Sequence, residues 1–425
     1  MNEPVGMGRP SAGAGGRTAA ARQRLEALLD PGSFVERFSF TGAPGPGAGL
    51  DEGAEAVVGV GTVDGRDVAV HAVGPLPPGG SLGEQGAAKV AWALELALRS
   101  RIPIVGLADW RGARPAEDLA ALARWADVLR LHVRASGVVP QVALVFGRGP
   151  GASYAAELSD FVIAVDAGAE DGPECGAHFL AADEGVARSC LRLLLSHLPG
   201  CSGETPPRQP YVPDPEGREP EALPLASLPP GQPYDMCEVA AGLVDGGELL
   251  WIRPLPGPGL LAGFGRLDGH PVGVVASQPM LCAGTIDAGA ASKAARFVRF
   301  CDAFNLPVLS LIDTAGVAAD APARQAAQLV YAYAEATVPR LAVVTGAVRG
   351  SGYLLMSPRV AGADLSLAWP AVKVAAAGPE PAAERGLVDA VVEPRETRRE
   401  LIRVLRLSLG RRAERPVREH GNIPL

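Results

Sequence analysis

The chain carries a copy of itself. Val63-Asp64-Gly65-Arg66-Asp67-Val68-Ala69-Val70 resembles Leu267-Asp268-Gly269-His270-Pro271-Val272-Gly273-Val274, with Asp64 and Asp268 separated by 204 positions. The same offset relates Lys89 to Lys293, Pro103 to Pro307 and Asp109 to Asp313. Further on, Val139-Pro140-Gln141-Val142-Ala143-Leu144-Val145 resembles Val338-Pro339-Arg340-Leu341-Ala342-Val343-Val344 at an offset of 199. A duplicated unit of this length constrains the fold strongly, because both copies must bury the same apolar faces.

Each copy reads as alternating strands and helices. In the first, Asp67–Ala72 is an apolar strand entered from an Asp-Gly turn. Glu84–Ser100 follows as a helix, its Val90, Leu94 and Leu98 forming one stripe at i, i+4, i+8. Ile102–Ala108 is a continuous apolar run, as expected of a strand covered on both faces. Leu119–Arg134 predicts a helix, Gln141–Phe146 a strand, and Phe161–Val165 a further strand. The pattern predicts an α/β protein with largely parallel pairing. Glycine and proline gather at residues 8–16, in Ala43–Gly47 and across Pro199–Pro233. The expected organisation is therefore a disordered leader over 1–19, a first domain over 20–200, a Pro-rich linker over 201–233 and a second domain over 234–425.

A net charge of −8 with no basic stripe argues against nucleic acid and anionic membrane as partners. Six cysteines show no C-x-x-C pair and no histidine at zinc spacing, so no metal site is expected. Cys282 and Cys301 stand in apolar stretches and read as buried, inert thiols. No apolar run approaches the ~20 residues needed to span a bilayer, and no signal peptide opens the chain. A cytoplasmic protein is expected.

Two glycine-rich turns fall at matching places after strands: Gly147-Arg148-Gly149-Pro150-Gly151-Ala152-Ser153-Tyr154 and Gly346-Ala347-Val348-Arg349-Gly350-Ser351-Gly352-Tyr353. Such turns can aim backbone N–H groups at a ligand oxygen, although plain tight turns have the same composition. Gly151-Ala152-Ser153-Tyr154-Ala155 lacks the closing glycine of a nucleophile elbow. Gly147, Gly149 and Gly151 do not make a dinucleotide fingerprint, and no Walker sequence is present. Arg398-Arg399 and Arg411-Arg412 read as solvated helix faces.

Several segments resemble the β-type carboxyltransferase subunit of biotin-dependent acyl-CoA carboxylases, the propionyl-CoA and methylmalonyl-CoA class. They include Leu28–Phe34, Gly79-Gly80-Ser81-Leu82-Gly83, Gln232–Met236, Lys293–Asn305, Ala332–Pro339, Gly362–Leu365, Ala368-Trp369-Pro370 and His420–Leu425. The resemblance runs from about Ala20 to the C-terminus. It implies two tandem crotonase-like (ClpP/crotonase superfamily) β-β-α superhelical domains. It also implies transfer of a carboxyl group from carboxybiotin, borne on a separate carrier protein, to the α-carbon of a coenzyme A thioester. In that chemistry backbone amides stabilise two enolate-like oxygens. Gly151 and Ala152 would serve the thioester oxygen, and Gly350, Ser351 and Gly352 the ureido oxygen. Gly80, Gly83, Lys89, Gly112, Ala113 and Arg114 would bind substrate. The implied partners are a biotin carboxylase/biotin carrier α subunit and further subunits of a homomeric or mixed hexameric ring.

The resemblance also locates departures. The family's Gly-Gly pair in the first half falls on Pro150-Gly151, and proline has no N–H. Trp110 and Arg111 replace small residues in the loop ending Gly112-Ala113-Arg114. Segments look shortened between Asp166 and His178, between Gly316 and Arg324, and between Gly378 and Ala382. Alternatives to a carboxyltransferase are a non-catalytic paralogue assembling with an active β subunit, or a malonyl-type acyl-CoA decarboxylase. A crotonase-type hydratase or thioesterase would need a carboxylate near Gly151, for which Glu157 is the nearest residue.

Overall fold

The duplication is written into the strand registers. A computed structural model of the protein describes residues 14–38, 56–73, 82–108, 118–146, 153–165, 176–211, 233–253, 256–318, 323–356, 359–370, 372–374 and 377–410. The chain divides into two compact units, Met1–Arg192 and Leu193–Leu425.

The first unit contains α1 (Ala14–Leu28), β1 (Val35–Arg37), β2 (Ala56–Val63), β3 (Arg66–Val73), α2 (Glu84–Ser100), β4 (Ile104–Ala108), α3 (Asp118–Ala135), β5 (Gln141–Phe146), α4 (Ser153–Leu158), β6 (Phe161–Val165), β7 (Phe179–Ala181) and α5 (Glu184–His197), whose last turn crosses the boundary. Its seven strands run in sequence order, with β1–β2–β3 antiparallel and β3 through β7 parallel. The second unit contains α6 (Met236–Leu243), β8 (Leu250–Trp251), β9 (Leu260–Leu267), β10 (His270–Ser277), α7 (Ala288–Ala303), β11 (Val308–Thr314), α8 (Ala323–Glu335), β12 (Arg340–Val348), α9 (Gly352–Leu355), β13 (Leu365–Ala368), β14 (Lys373–Val374), α10 (Pro379–Glu384), β15 (Ala390–Val391) and α11 (Pro394–Ser408). Its sheet runs β8-β9-β10-β11-β12-β13-β15, with β14 beside β12.

Ala69 pairs with Ile104 in the first unit and Gly273 with Val308 in the second, each moved by 204. Likewise Ile104 faces Gln141 and Val308 faces Arg340, so the offset of 199 enters after β4 and β11. The strands and helices expected from the first copy are present, the helix over Glu84–Ser100 and the strands over Gln141–Phe146 and Phe161–Val165 at the expected bounds. β4 opens at Ile104, two residues later than expected, because Pro103 cannot donate to the ladder. The helix α1 begins inside the segment expected as a leader, and residues 1–13 lie outside the described residues.

Both hairpin turns are held by an aspartate that sequence reading passed over. Asp64 and Gly65 adopt φ of 50° and 75°, and Asp268 and Gly269 of 53° and 77°. Asp30 accepts the N–H of Asp64 (3.1 Å) and Gly65 (2.8 Å), while Asp245 accepts those of Asp268 (3.0 Å) and Gly269 (2.6 Å). These bonds, the Gly65 N–H first, hold the Asp30 carboxyl well below the usual carboxylate range. Arg192 pairs with Asp30 and Asp64, and Arg398 with Asp245. This corrects the reading of Arg398 as solvated: its guanidinium is largely buried and also donates to the Leu243 carbonyl, whereas Arg399 is exposed.

Part of the expected linker is also ordered. Gln209 N–H donates to the Gly269 carbonyl (3.0 Å), and Asn305 Nδ2 to the carbonyls of Ser202 (2.8 Å) and Glu204 (2.6 Å). Proline-rich composition did not prevent this, because the segment lies along the second hairpin, which offers it acceptors.

The helices α2 and α7 end alike. Ile102 N–H reaches the Ala97 carbonyl (3.2 Å) and Leu306 N–H the Cys301 carbonyl (2.8 Å), with left-handed residues Arg101 (φ 56°) and Asn305 (φ 62°) between. Glycine suits this place and arginine does not. Arg101→Gly is therefore expected to stabilise the protein by about 1 kcal/mol, raising the melting temperature by about 2–4 °C. A calorimetric scan that shows a lower melting temperature refutes it. Helix and sheet meet through small residues: a methyl on Gly273 of β10 would strike Cys301 Sγ of α7. Cys301 is fully buried there, as expected; Cys282 is exposed, contrary to expectation, because it sits on a loop outside the core.

Candidate active site

The second glycine turn leaves β12 at Val348 and enters α9 at Gly352. Gly350 is left-handed (φ 53°), with open space where a side chain would stand, and Ser351 is right-handed (φ −68°, ψ −17°). A change of hand between neighbours fans successive N–H groups toward one point. Among the described residues, no acceptor meets the amides of Gly350 and Ser351. The Gly352 N–H differs, since it donates to the Arg349 carbonyl (3.1 Å). Of the three residues singled out in this turn, two keep a free amide and the third closes the turn.

Neighbouring loops support it. Arg349 N–H donates to the Thr314 carbonyl (3.2 Å), and a methyl on Gly352 would lie 2.8 Å from Thr314 Cγ2. Thr314 Oγ1 donates to the Gly284 carbonyl (2.7 Å) and accepts the Gly316 N–H (3.1 Å). Beside these, Ala347 N–H donates to Asp313 Oδ1 (3.0 Å), and Tyr234 Oη, near the Asp313 carboxylate, bonds Thr345 Oγ1 (3.0 Å). Burial raises the pKa of Asp313, opposed by the Tyr234 and Ala347 bonds, and burial together with Asp313 pushes the Tyr234 phenol up. Sequence reasoning used Asp313 as a landmark of the repeat and gave it no catalytic or binding role. Its place beside Tyr234 follows from two chain segments nearly 80 positions apart, which no local pattern reveals.

The other selected residues separate into two groups. Gly80, Gly112, Ala113, Arg114, Gly151 and Ala152 lie outside the described residues, as do Trp110, Arg111 and Pro150. Gly83 is the extended residue preceding α2, its carbonyl accepting the Ala87 N–H (3.0 Å). Lys89 is buried, and its ammonium donates to the Ala56 carbonyl (3.4 Å). Its counterpart Lys293 makes the same kind of bond to Gly257 (2.8 Å), and burial lowers its pKa to about 8. Both lysines thus bond a backbone carbonyl at or just before the first strand of their unit's hairpin. Glu157 accepts the Gly176 N–H (2.6 Å), which engages the carboxylate that a hydratase would require. Among the described residues no group of three or more His, Cys, Asp or Glu is placed to hold a metal ion. No helix among them is long and apolar enough to cross a membrane.

An open pair of backbone amides can stabilise an oxyanion, and needs no metal ligand or titrating nucleophile to do so. The carboxyl transferase domain family matches residues 14–170 and 174–384. The chain belongs to that family. The carboxyl transferase is 38% identical to the propionyl-CoA carboxylase beta chain of Saccharopolyspora erythraea over 95% of this chain and 90% of that protein. It is 35% identical to the methylmalonyl-CoA decarboxylase subunit alpha of Veillonella parvula over 95% of this chain and 93% of that one. A crystal structure of transcarboxylase 12S, a hexamer with methylmalonyl-coenzyme A and methylmalonic acid bound, superposes with a TM-score of 0.87. That match has 31% identity and covers 95% of this chain and 92% of the other. The fold is therefore the crotonase-like carboxyltransferase fold that the family resemblance implied. Alignment with the Saccharopolyspora relative extends over 492 positions against a chain of 425, so gaps fall within this chain.

Proposed function

We propose that this carboxyl transferase is the β subunit of an acyl-CoA carboxylase, moving a carboxyl group from carboxybiotin to the α-carbon of an acyl-CoA. The observation that carries the reading is the Gly350–Ser351 turn, whose two amides meet no acceptor among the described residues. In the transfer the bond between the biotin N1′ and the carboxyl carbon breaks and a carbon–carbon bond forms. The α-proton of the acyl group ends on N1′. Negative charge gathers on the ureido oxygen and on the thioester oxygen. Gly350 and Ser351 are assigned to the first, and Gly151 and Ala152 to the second, with Gly112, Ala113 and Arg114 assigned to substrate binding. A fixed N–H pair stabilises such charge without reorganising at the moment of reaction. Pro150 withholds one donor on the thioester side. The biotin arrives on a separate α subunit that also supplies biotin carboxylase, in a hexameric cytoplasmic assembly.

Purified protein mixed with biotin carboxylase and biotinylated carrier should fix labelled bicarbonate onto propionyl-CoA or a related acyl-CoA. Absence of fixation, with tight co-purification of another carboxyltransferase, would favour a non-catalytic paralogue and sink the proposal. The relation to a methylmalonyl-CoA decarboxylase subunit favours one second reading. In it the same two sites remove a carboxyl group from a malonyl-type thioester and pass it to biotin. Carboxybiotin formed from methylmalonyl-CoA, without net fixation in the forward direction, would select that reading.

A further inference from the structure

We propose that Gly284 is a positioning residue for carboxyl transfer, holding the Gly350–Ser351 amides in place through Thr314; it rests on the function assigned above to that turn. Cys282, Ala283 and Gly284 follow one another at φ of 51°, 50° and 66°. Three successive left-handed residues, two of them bearing a Cβ, are rare, because each Cβ presses on the carbonyl that follows. Strain of this kind persists only where the surroundings enforce it, and it concentrates at functional sites.

The enforcing contacts are specific. Gly284 N–H donates to the carbonyls of Leu281 (3.0 Å) and Gln278 (3.1 Å). Its own carbonyl accepts Thr314 Oγ1 (2.7 Å), and the Ala283 carbonyl accepts Ala315 N–H (3.1 Å). Thr314 is buried, and its carbonyl in turn holds the N–H of Arg349, the residue before Gly350. Two consecutive hydrogen bonds thus connect the left-handed turn to the open amides. Glycine is required at 284 twice over, for its positive φ and because a methyl there would collide with the Asp313 carbonyl. The turn contributes little to the core: Met280, Leu281 and Cys282 around it are exposed. A relaxed loop would cover the sheet equally well, so what the strain maintains is the alignment of the loops after β10, β11 and β12.

The test uses the full-length protein with Gly284→Ala and Ala283→Gly. Crystal structures, hydrogen exchange of the peptides covering Thr314–Gly316 and Arg349–Gly352, and carboxyl transfer with carrier are measured on each. Gly284→Ala is expected to displace the Gly350–Ser351 turn, speed exchange in both peptides and lower kcat about tenfold or more, with KM for acyl-CoA changed less than about twofold. Ala283→Gly adopts a positive φ without strain, so it folds even if the first variant does not. It should speed exchange in the same two peptides while the melting temperature stays within about 2 °C. Unchanged exchange and an unmoved turn in the variants overturn the proposal, as does a loss carried wholly in KM. If the unaltered protein shows no transfer, the functional assignment fails, and exchange and crystallography still decide whether Gly284 positions the turn.

Discussion

Ser351→Pro is expected to lower biotin-dependent carboxyl transfer by about 10²–10³-fold, the usual consequence of deleting one oxyanion donor. The substitution is unusually clean here. Ser351 already has φ −68°, the value a proline ring imposes, and its N–H meets no acceptor among the described residues. Its carbonyl, which accepts Leu354 N–H (3.0 Å) and Leu355 N–H (3.2 Å), is retained. Gly350 before it lacks the Cβ that a following proline would crowd. Ser351→Ala keeps the N–H and removes only the hydroxyl, which makes no capping bond, so its rate should stay within about twofold of the parent. Single-turnover transfer from carboxylated carrier distinguishes the two. Equal rates for the proline and alanine variants would remove this amide from the mechanism.

The second large effect is a loss of stability in acid, expected to be strongest in the first unit. His71 of β3 is buried against Gly106 of β4, and among the described residues no partner is found for its Nδ1. It lines a cavity of about 20 Å³ with His132 and Gln141, the space of roughly one water. His132 Nδ1 bonds Gln141 Oε1 (2.8 Å). Burial, and to a lesser degree the neighbouring His132, lowers the pKa of His71 to about 3; burial lowers that of His132 as well. An unfolded histidine takes up its proton near pH 6.5, while folded His71 refuses it until about pH 3. The unfolded state therefore binds more protons in this window, and stability falls as pH falls through it. The loss from His71 alone is about 2 kcal/mol at pH 5 and about 3 kcal/mol at pH 4. In the second unit Val275 stands at the position equivalent to His71 and Ser310 at that of Gly106, and Ser310 Oγ bonds Tyr333 Oη (2.9 Å). His71→Val should accordingly flatten the acid side of the stability curve by up to about 1.4 kcal/mol per pH unit. Urea titrations between pH 7.5 and 5 measure that slope, and an unchanged slope contradicts the assignment. The variant's stability at neutral pH is a separate quantity and does not enter.

Much of this protein was legible before any coordinates. The 204-position offset anticipated two units with matched strand registers, because a repeated apolar pattern can bury itself in only one way. The glycine turn holding Gly350 and Ser351 was legible from composition and position, since a glycine turn after a buried strand is a local feature, and the role of its amides came from the family resemblance. Gly352 was assigned the same role, and its N–H meets the Arg349 carbonyl (3.1 Å), since which carbonyl a turn brings to an amide is set by its conformation. Lys89 was read as a ligand-binding residue, and its ammonium meets the Ala56 carbonyl, a partner 33 positions away. Arg398 looked solvated because its helix is rich in charge, and Asp245, far off in sequence, decided otherwise.

The sequence by itself determined the duplication, the α/β alternation, the family and the place of the second glycine turn. The duplication, the alternation and the turn follow from periodicity and short-range spacing, and the family from the resemblance of short segments such as Gln232–Met236 and Ala332–Pro339, none of which needs a third dimension. Only the tertiary structure decided that, among the described residues, the amides of Gly350 and Ser351 meet no acceptor while that of Gly352 does. It alone brought Asp313, Tyr234, Thr314 and the left-handed turn at Cys282–Gly284 together behind that turn. The reason is physical: hydrogen-bond satisfaction and close approach are properties of pairs of atoms. Those pairs form between strand ends that are neighbours in the sheet and strangers in the chain.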